Sequence, residues 1–262
     1  MRKAKALIIV ALSAAFSGFF LGCVTNTATL KIEKSLPQNK LAYYNDSFDK
    51  FRTDLWEKAG SIYNKAQEAN FKLAEMRIEN GKLRVRTKPG CFSKGGVGSK
   101  FTLRGGFDIQ VDCRIDFLEG VYDMDQYLVF LVIEKGKAIG TGDAVFLRLL
   151  KMGGRDFSTI LSTALDNGRF HRGDWSKVGN FDGSLRIVRK GAKITTLYRT
   201  KEDKQWEDLG TFWSTSDDLG TGFLLQNFIP SRTTSITGKS PVTATFDNFR
   251  INAAEEIIEE EI

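Results

Sequence analysis

Phe107-Asp108-Ile109-Gln110-Val111-Asp112-Cys113-Arg114-Ile115-Asp116-Phe117 decides how this chain folds. Its odd positions are all apolar: Phe107, Ile109, Val111, Cys113, Ile115 and Phe117. Its even positions, from Asp108 through Gln110, Asp112 and Arg114 to Asp116, are all polar or charged. A period of two with no exception predicts a strand with one face buried and one face wet, as in an antiparallel sandwich sheet.

Reading outward, similar short segments recur between Gly, Asn and Asp punctuation. Residues 82–87 follow Glu79-Asn80-Gly81, where Asn-Gly supplies the positive φ angles of a tight hairpin. Residues 126–133 and 144–150 are longer apolar runs, suited to strands covered on both faces. Strands are also expected at 157–165, 184–189, 193–200, 207–213, 222–228 and 243–251. The pair at 184–200 turns through Lys190-Gly191-Ala192. Residues 51–73, with Leu55, Ile62, Ala66 and Ala69 loosely spaced, carry a helical flavour and predict a turn or two of helix. Gly95-Gly96-Val97-Gly98-Ser99-Lys100 lacks the order of a phosphate-binding loop and reads as a flexible connection.

Composition bounds the classes. Hydrophobic residues make up 42% of the 262, and 20 are Phe, enough for a substantial core. The formal charge is +6, of which Arg2, Lys3 and Lys5 contribute three, leaving +3 for the chain from Cys23. Such an excess is too small for a nucleic-acid footprint. Lys82, Arg84, Arg86 and Lys88 alternate along one strand and read as a solvated basic face.

Residues 1–22 read as an export signal: a basic start, then an uncharged apolar run over 6–21, shorter than the about 20 residues of a spanning helix. Phe20-Leu21-Gly22-Cys23 resembles the bacterial lipobox, which implies lipid on Cys23 and an exported protein held at an outer membrane or cell surface. Phe20 and Leu21 depart from that pattern, which puts Leu first and a small residue second. Residues 23–45 are then a tether and lead-in, 46–252 one domain, and 253–262 a solvated acidic tail. Cys91 and Cys113 either form a disulfide, which export permits, or remain free and packed.

Several stretches together resemble the concanavalin A-like lectin/glucanase superfamily, which includes laminin-G-like and bacterial glucanase-like domains. They are Asp46-Ser47-Phe48-Asp49 with Trp56, Gly81-Lys82-Leu83-Arg84-Val85, and Gly105-Gly106-Phe107 running into Val111. Asp182-Gly183-Ser184 follows, leading through Arg189 and Tyr198 to Trp206 and Leu209-Gly210, and Ala244-Thr245-Phe246-Asp247-Asn248-Phe249-Arg250-Ile251 closes the series. The resemblance spans 46–252 and implies an all-β, two-sheet antiparallel jelly-roll sandwich of about 12 strands.

The resemblance also implies chemistry. Glucanase-type members carry a Glu-x-Asp-x-(x)-Glu run, and none exists here. Asp108, Asp112 and Asp116 sit about 14 Å apart along their strand, whereas retaining acid pairs sit about 5 Å apart and inverting pairs within about 9.5 Å. Asp123 and Asp125 are better spaced but fall in an expected loop. A structural Ca²⁺ joining the first and last strands would use Asp247 with carbonyls near Asp46 and Gly81; otherwise Asp247 and Asn248 cap the last strand. Glycan recognition would use exposed aromatics, drawn from Trp175, Tyr198, Trp206, Trp213, Tyr122 and Tyr127, with Asp108, Gln110, Asp112 and Arg114 as polar partners. Trp175, in Arg172-Gly173-Asp174-Trp175, reads as a loop residue at the rim, while Trp56 and Trp213 read as core. The expected function is therefore non-catalytic binding of a glycan or cell-envelope polymer. The alternatives are a glycoside hydrolase or lyase acting on polysaccharide, and a purely structural envelope lipoprotein.

Overall fold

The computed structural model describes residues 30–59, 71–121, 124–137, 142–166, 168–228 and 240–259. The signal at 1–22, the lipidation candidate Cys23, Tyr122 and Asp123 lie outside them. One short helix, α1 (Gln38–Tyr44), precedes β1 (Trp56–Ala59), β2 (Phe71–Leu73), β3 (Glu75–Glu79), β4 (Lys82–Arg86) and β5 (Phe92–Ser99). Then come β6 (Phe101–Asp116), β7 (Asp125–Glu134), β8 (Ala144–Lys151), β9 (Ser158–Asp166) and β10 (Arg169–Val178). The remainder is β11 (Phe181–Lys190), β12 (Lys193–Thr200), β13 (Glu207–Trp213), β14 (Asp218–Phe228) and β15 (Thr243–Glu259). Among the described residues every strand pairing is antiparallel except β2 on β5.

Two layers result. Layer A runs β3-β4-β15-β6-β11-β12-β13, and layer B runs β10-β9-β8-β7-β14-β5, with β1 and β2 on β5. They join where Asp218 and Leu219 of β14 pair with Arg104 and Leu103 of β6. The odd positions of β6 behave as their period requires: Phe107, Ile109, Val111 and Ile115 are fully buried. They face Leu128, Phe130, Val132 and Leu147 of layer B in one core. An aromatic cluster seals one end, with Phe223 4.7 Å from Phe246 and Trp56 4.9 Å from Phe249 between ring centroids. Rings dominate core energetics because each buries so much apolar area at once.

The Asn80-Gly81 hairpin is present with φ of 54° and 67°, joining β3 to β4. Elsewhere the chain departs from the sequence reading. The strand total among the described residues is 15 rather than about 12. The expected helical stretch contributes β1 and β2, and its residues 60–70 lie outside the described part. Gly95–Gly98 are not a loop but strand β5, packed between β1 and β14. A Cβ on Gly96 would lie 2.1 Å from the Phe223 carbonyl oxygen, so the glycine is what lets the two strands approach. Trp213 is exposed, under the Lys193 ammonium, and not core.

The lead-in and the tail also belong to the sandwich. Ile32 is buried against Val188 and Leu197 on the outer face of layer A, and the Leu36 amide donates to the Ala254 carbonyl. Residues 253–259 are strand, continuing β15 along β6 as far as Glu259 opposite Phe101.

Candidate functional site

The wet face of β6 opens into a polar cleft of about 590 Å³ on the outer side of layer A. Its floor is built by strand register. Asp112 stands opposite Ser184 of β11 and Asp247 of β15, and Gln110 opposite Arg186 and Arg250. Three of the ligand and metal candidates from the sequence, Gln110, Asp112 and Asp247, line it together with Asn248, Arg250, Ser184, Arg199 and Lys82. A bulge in β15 between Asp247 and Arg250 does the arranging. Asn248 takes a left-handed φ of 46°, which Asn tolerates better than most residues. Its amide nitrogen then donates to Asp112 Oδ2 at 3.1 Å, while Phe249 turns into the core. Re-aiming one side chain in this way is a recurrent use of bulges.

Asp108, Asp112 and Asp247 on this face each have partners already. Asp112 accepts from Ser184 Oγ at 2.6 Å as well as from Asn248. Asp108 is clamped by Arg186, Nε to Oδ1 at 2.8 Å and Nη2 to Oδ2 at 2.5 Å, and takes a third bond from Asn252. That fork geometry is the strong form of an ion pair. Gln110 Oε1 also accepts from Asn252, and Arg114 turns away to Asp116. Trp206 is half-buried at the cleft's shoulder, with the guanidinium carbons of Arg199 and Arg186 4.5 and 5.3 Å from its ring centroid.

The remaining sequence candidates are scattered. Tyr198 is buried in the core, and its hydroxyl donates to the Glu207 carboxylate. Burial and then that bond push its pKa up to about 12. It is no ligand residue, because its position on β12 is inward. Trp175 lies on β10 at the far edge of layer B, on a strand and not a rim loop. Cys91 and Cys113 are separate buried thiols, not a disulfide. Cys113 points into the core from the middle of β6, and burial raises its pKa well above the ordinary thiol value. The Cys91 thiol lies 3.5 Å from the Lys88 carbonyl oxygen.

Asp247, the calcium candidate, is engaged by its neighbours. Its Oδ2 is 3.3 Å from the Lys82 ammonium, and its Oδ1 accepts from the Asn248 amide. Asp46 has both oxygens committed, to the Phe48 amide and the Trp56 indole, each at 2.8 Å. The first and last strands are instead joined by the reciprocal Asp46–Phe249 backbone bonds. Ca²⁺ wants six to eight oxygens, and among the described residues no group of three acidic, His or Cys side chains could hold a metal.

The outer face of layer B is different in kind. Val129, Leu131, Ala144, Phe146, Leu165 and Leu224 make a second buried apolar cluster there. Among the described residues of β7, β8 and β9, the outward carboxylate on this face is Asp125, which accepts from Gly153 and from the Tyr127 hydroxyl. At the row's end Lys94 is buried, and burial pushes its pKa down to about 8. Sequence reasoning missed Lys94, Asn248, Ser184, Arg199 and Arg250 as neighbours of anything. Register across β6, β11, β12 and β15 makes the last four neighbours, while pairing on β14 sets Lys94 in the other layer, and no local motif records either.

A scan against protein-family models finds no match, and no curated protein matches the sequence. Solved structures do match the fold. A prokaryotic β-1,3-1,4-glucanase (lichenase) derived from a mouse hindgut metagenome is similar over 79% of this chain and 97% of its own, at 14% identity and TM-score 0.56. A Zobellia galactanivorans LamA variant in complex with laminaritriose and laminaritetraose covers the same shares at 11% identity and TM-score 0.58. The CBM2 module of the Lactobacillus casei BL23 phage J-1 evolved Dit is similar over 80% of this chain and 95% of its own, at 12% identity and TM-score 0.53. The shared architecture is the jelly-roll sandwich of glucanases.

Proposed function

We propose that this protein binds a polysaccharide through the polar cleft of layer A without hydrolysing it, as an exported envelope protein anchored by lipid on Cys23. One observation carries the binding reading: five strands converge carboxylate, amide, hydroxyl and guanidinium groups on one open cleft. Paired donors and acceptors at fixed spacing are what an array of sugar hydroxyls requires, and rigid strands hold them better than loops. The Asp112, Asp247 and neighbouring Asp108 carboxylates are committed to Ser184, Asn248, Lys82 and Arg186, an arrangement suited to holding hydroxyls and not to shuttling a proton. The glucanases among the similar structures support the hydrolase alternative and the CBM2 module supports binding; at 11–14% identity the fold does not carry either activity by itself.

Hydrolysis is the second reading, supported by the glucanase neighbours and by one observation in the cleft. Asp112 and Asp247 are direct cross-strand partners on the wet face, which sets their Cβ atoms about 5 Å apart, near the separation of retaining acid pairs.

Both readings are tested on protein starting at Leu30, titrated calorimetrically with neutral β-glucans and envelope polysaccharides. Binding should weaken at least about tenfold in Asp112→Ala or Arg199→Ala, the loss of one good polar contact to a ligand. A panel that gives no binding removes the proposal. Reducing ends released by the wild type but not by Asp112→Asn would replace binding with hydrolysis.

A further inference from the structure

We propose that the outward face of β10 is a second carbohydrate site, built for an anionic polysaccharide laid along the strand. Antiparallel partners project to the same side of a sheet. Phe170 pairs with Leu165, Arg172 with Thr163, Trp175 with Leu161 and Lys177 with Thr159. Leu165 belongs to the apolar cluster on the outer face of layer B, so all four side chains leave β10 on that outer side. The partner positions are two residues apart, so the four groups follow one another at about 7 Å intervals. The row therefore alternates ring, cation, ring, cation.

This alignment depends on a bulge. By simple alternation Phe170, Arg172 and Asp174 would share a face, and Trp175 would turn inward. The register instead shifts between Arg172 and Trp175, so that Gly173 and Asp174 together oppose Ser162. The extra residue returns Trp175 to the side of Phe170 and Arg172. Gly173 makes the bulge feasible: a Cβ there would lie 2.2 Å from Ser162 Oγ and 2.5 Å from the Leu209 carbonyl oxygen.

The chemistry of the row specifies its ligand. Phe170 is 68% exposed and Trp175 48%, on a strand that ends the sheet order among the described residues, paired with β9. Charges and bulges on an edge strand can be explained as protection against pairing with other chains. Two large bare rings cannot, since they promote association. Flat rings stack on the apolar faces of sugars, and an Arg between them is placed to fork a carboxylate or sulfate. Arg169, Arg172 and Lys177 stand against Asp174 alone on this strand, so the field favours an anion. The Lys177 ammonium is also held over the Phe157 ring at 4.7 Å, with Arg155 on the same ring. A neutral glycan would use the rings and leave the cations idle. This site is on the opposite layer from the cleft and is independent of it.

The test is affinity electrophoresis of the protein starting at Leu30 in gels containing polygalacturonate, with laminarin as the neutral control and phosphatidylglycerol vesicles as a separate arm. Polygalacturonate should retard the wild type and laminarin should not do so through this row. Trp175→Ala and Arg172→Gln should each weaken retardation about fivefold, the size of one lost ring or charge contact, with unchanged melting temperatures because both side chains are exposed. Added salt should weaken the wild type more than Arg172→Gln. Arg199→Ala, in the cleft, should leave polygalacturonate binding intact, which separates this site from the one above. Absence of retardation, retardation insensitive to Trp175→Ala, or binding to the vesicles but not to polygalacturonate would each overturn the proposal.

Discussion

Asp46 shows how one residue fastens the two ends of the domain. Its backbone bonds Phe249 both ways, and its buried carboxylate accepts from the Phe48 amide and the Trp56 indole. Burial pushes its pKa up, against the pull of those donors and of Arg52. The fold thus tolerates its charged form less than water does, and its contribution to stability declines as pH rises through the raised value. Asp46→Ala leaves two buried N–H groups without an acceptor. Each such orphan costs about 1–3 kcal/mol, so the urea midpoint at pH 7 should fall clearly; an unchanged midpoint would refute the role. At this scale the sequence was a partial guide. Trp56 reads as core from its own bulk and is buried, whereas Asp46-Ser47-Phe48-Asp49, which the resemblance places in an entry strand, contributes one bridge at Asp46, and the first strand begins at Trp56. Tyr198 and Trp206 sit on opposite sides of layer A for a reason visible only in pairing: Tyr198 shares its side with Leu185, whereas Trp206 lies under Arg186.

Among the elements, β6 was legible and the end of β15 was not. Strict alternation forces β6 to bury one side. Glu255-Glu256-Ile257-Ile258-Glu259 repeats in doublets, which resembles a solvated tail. Register shifts between Ile251 and Ala253 and between Ala254 and Glu256 absorb the broken period. They keep the segment paired, Ile257 opposite Leu103, while Glu259 accepts from the Tyr44 hydroxyl at 2.7 Å. A chain ending at Ala254 would bare Leu103 and that edge of β6. Its melting temperature should drop by at least about 4 °C, since about 1 kcal/mol moves a domain of this size by 2–4 °C. No change would mean that the segment pairs without stabilising. β10 was missed for a related reason: charges and glycine mask its period, and the bulge at Gly173 shifts it.

For the whole molecule, the lead-in packs on layer A from Leu30 onward, so the six residues from Val24 through Thr29 separate the lipidation candidate from the domain. At full extension the chain from Cys23 to Leu30 reaches about 25 Å, which would hold the lead-in side of layer A close to the membrane. Cys23→Ser should release the protein from the membrane fraction while leaving its melting temperature unchanged, because the anchor contributes nothing to the core. Retention in the membrane would refute lipid anchoring. The sequence by itself determined the class of fold, since a period-two pattern of apolar side chains can be buried only by stacking sheets. Only the tertiary structure decided which polar residues meet. Asp112, Ser184, Asn248 and Lys82 are distant along the chain, and strand register together with single-residue bulges, which no hydrophobic pattern encodes, brings them to one cleft.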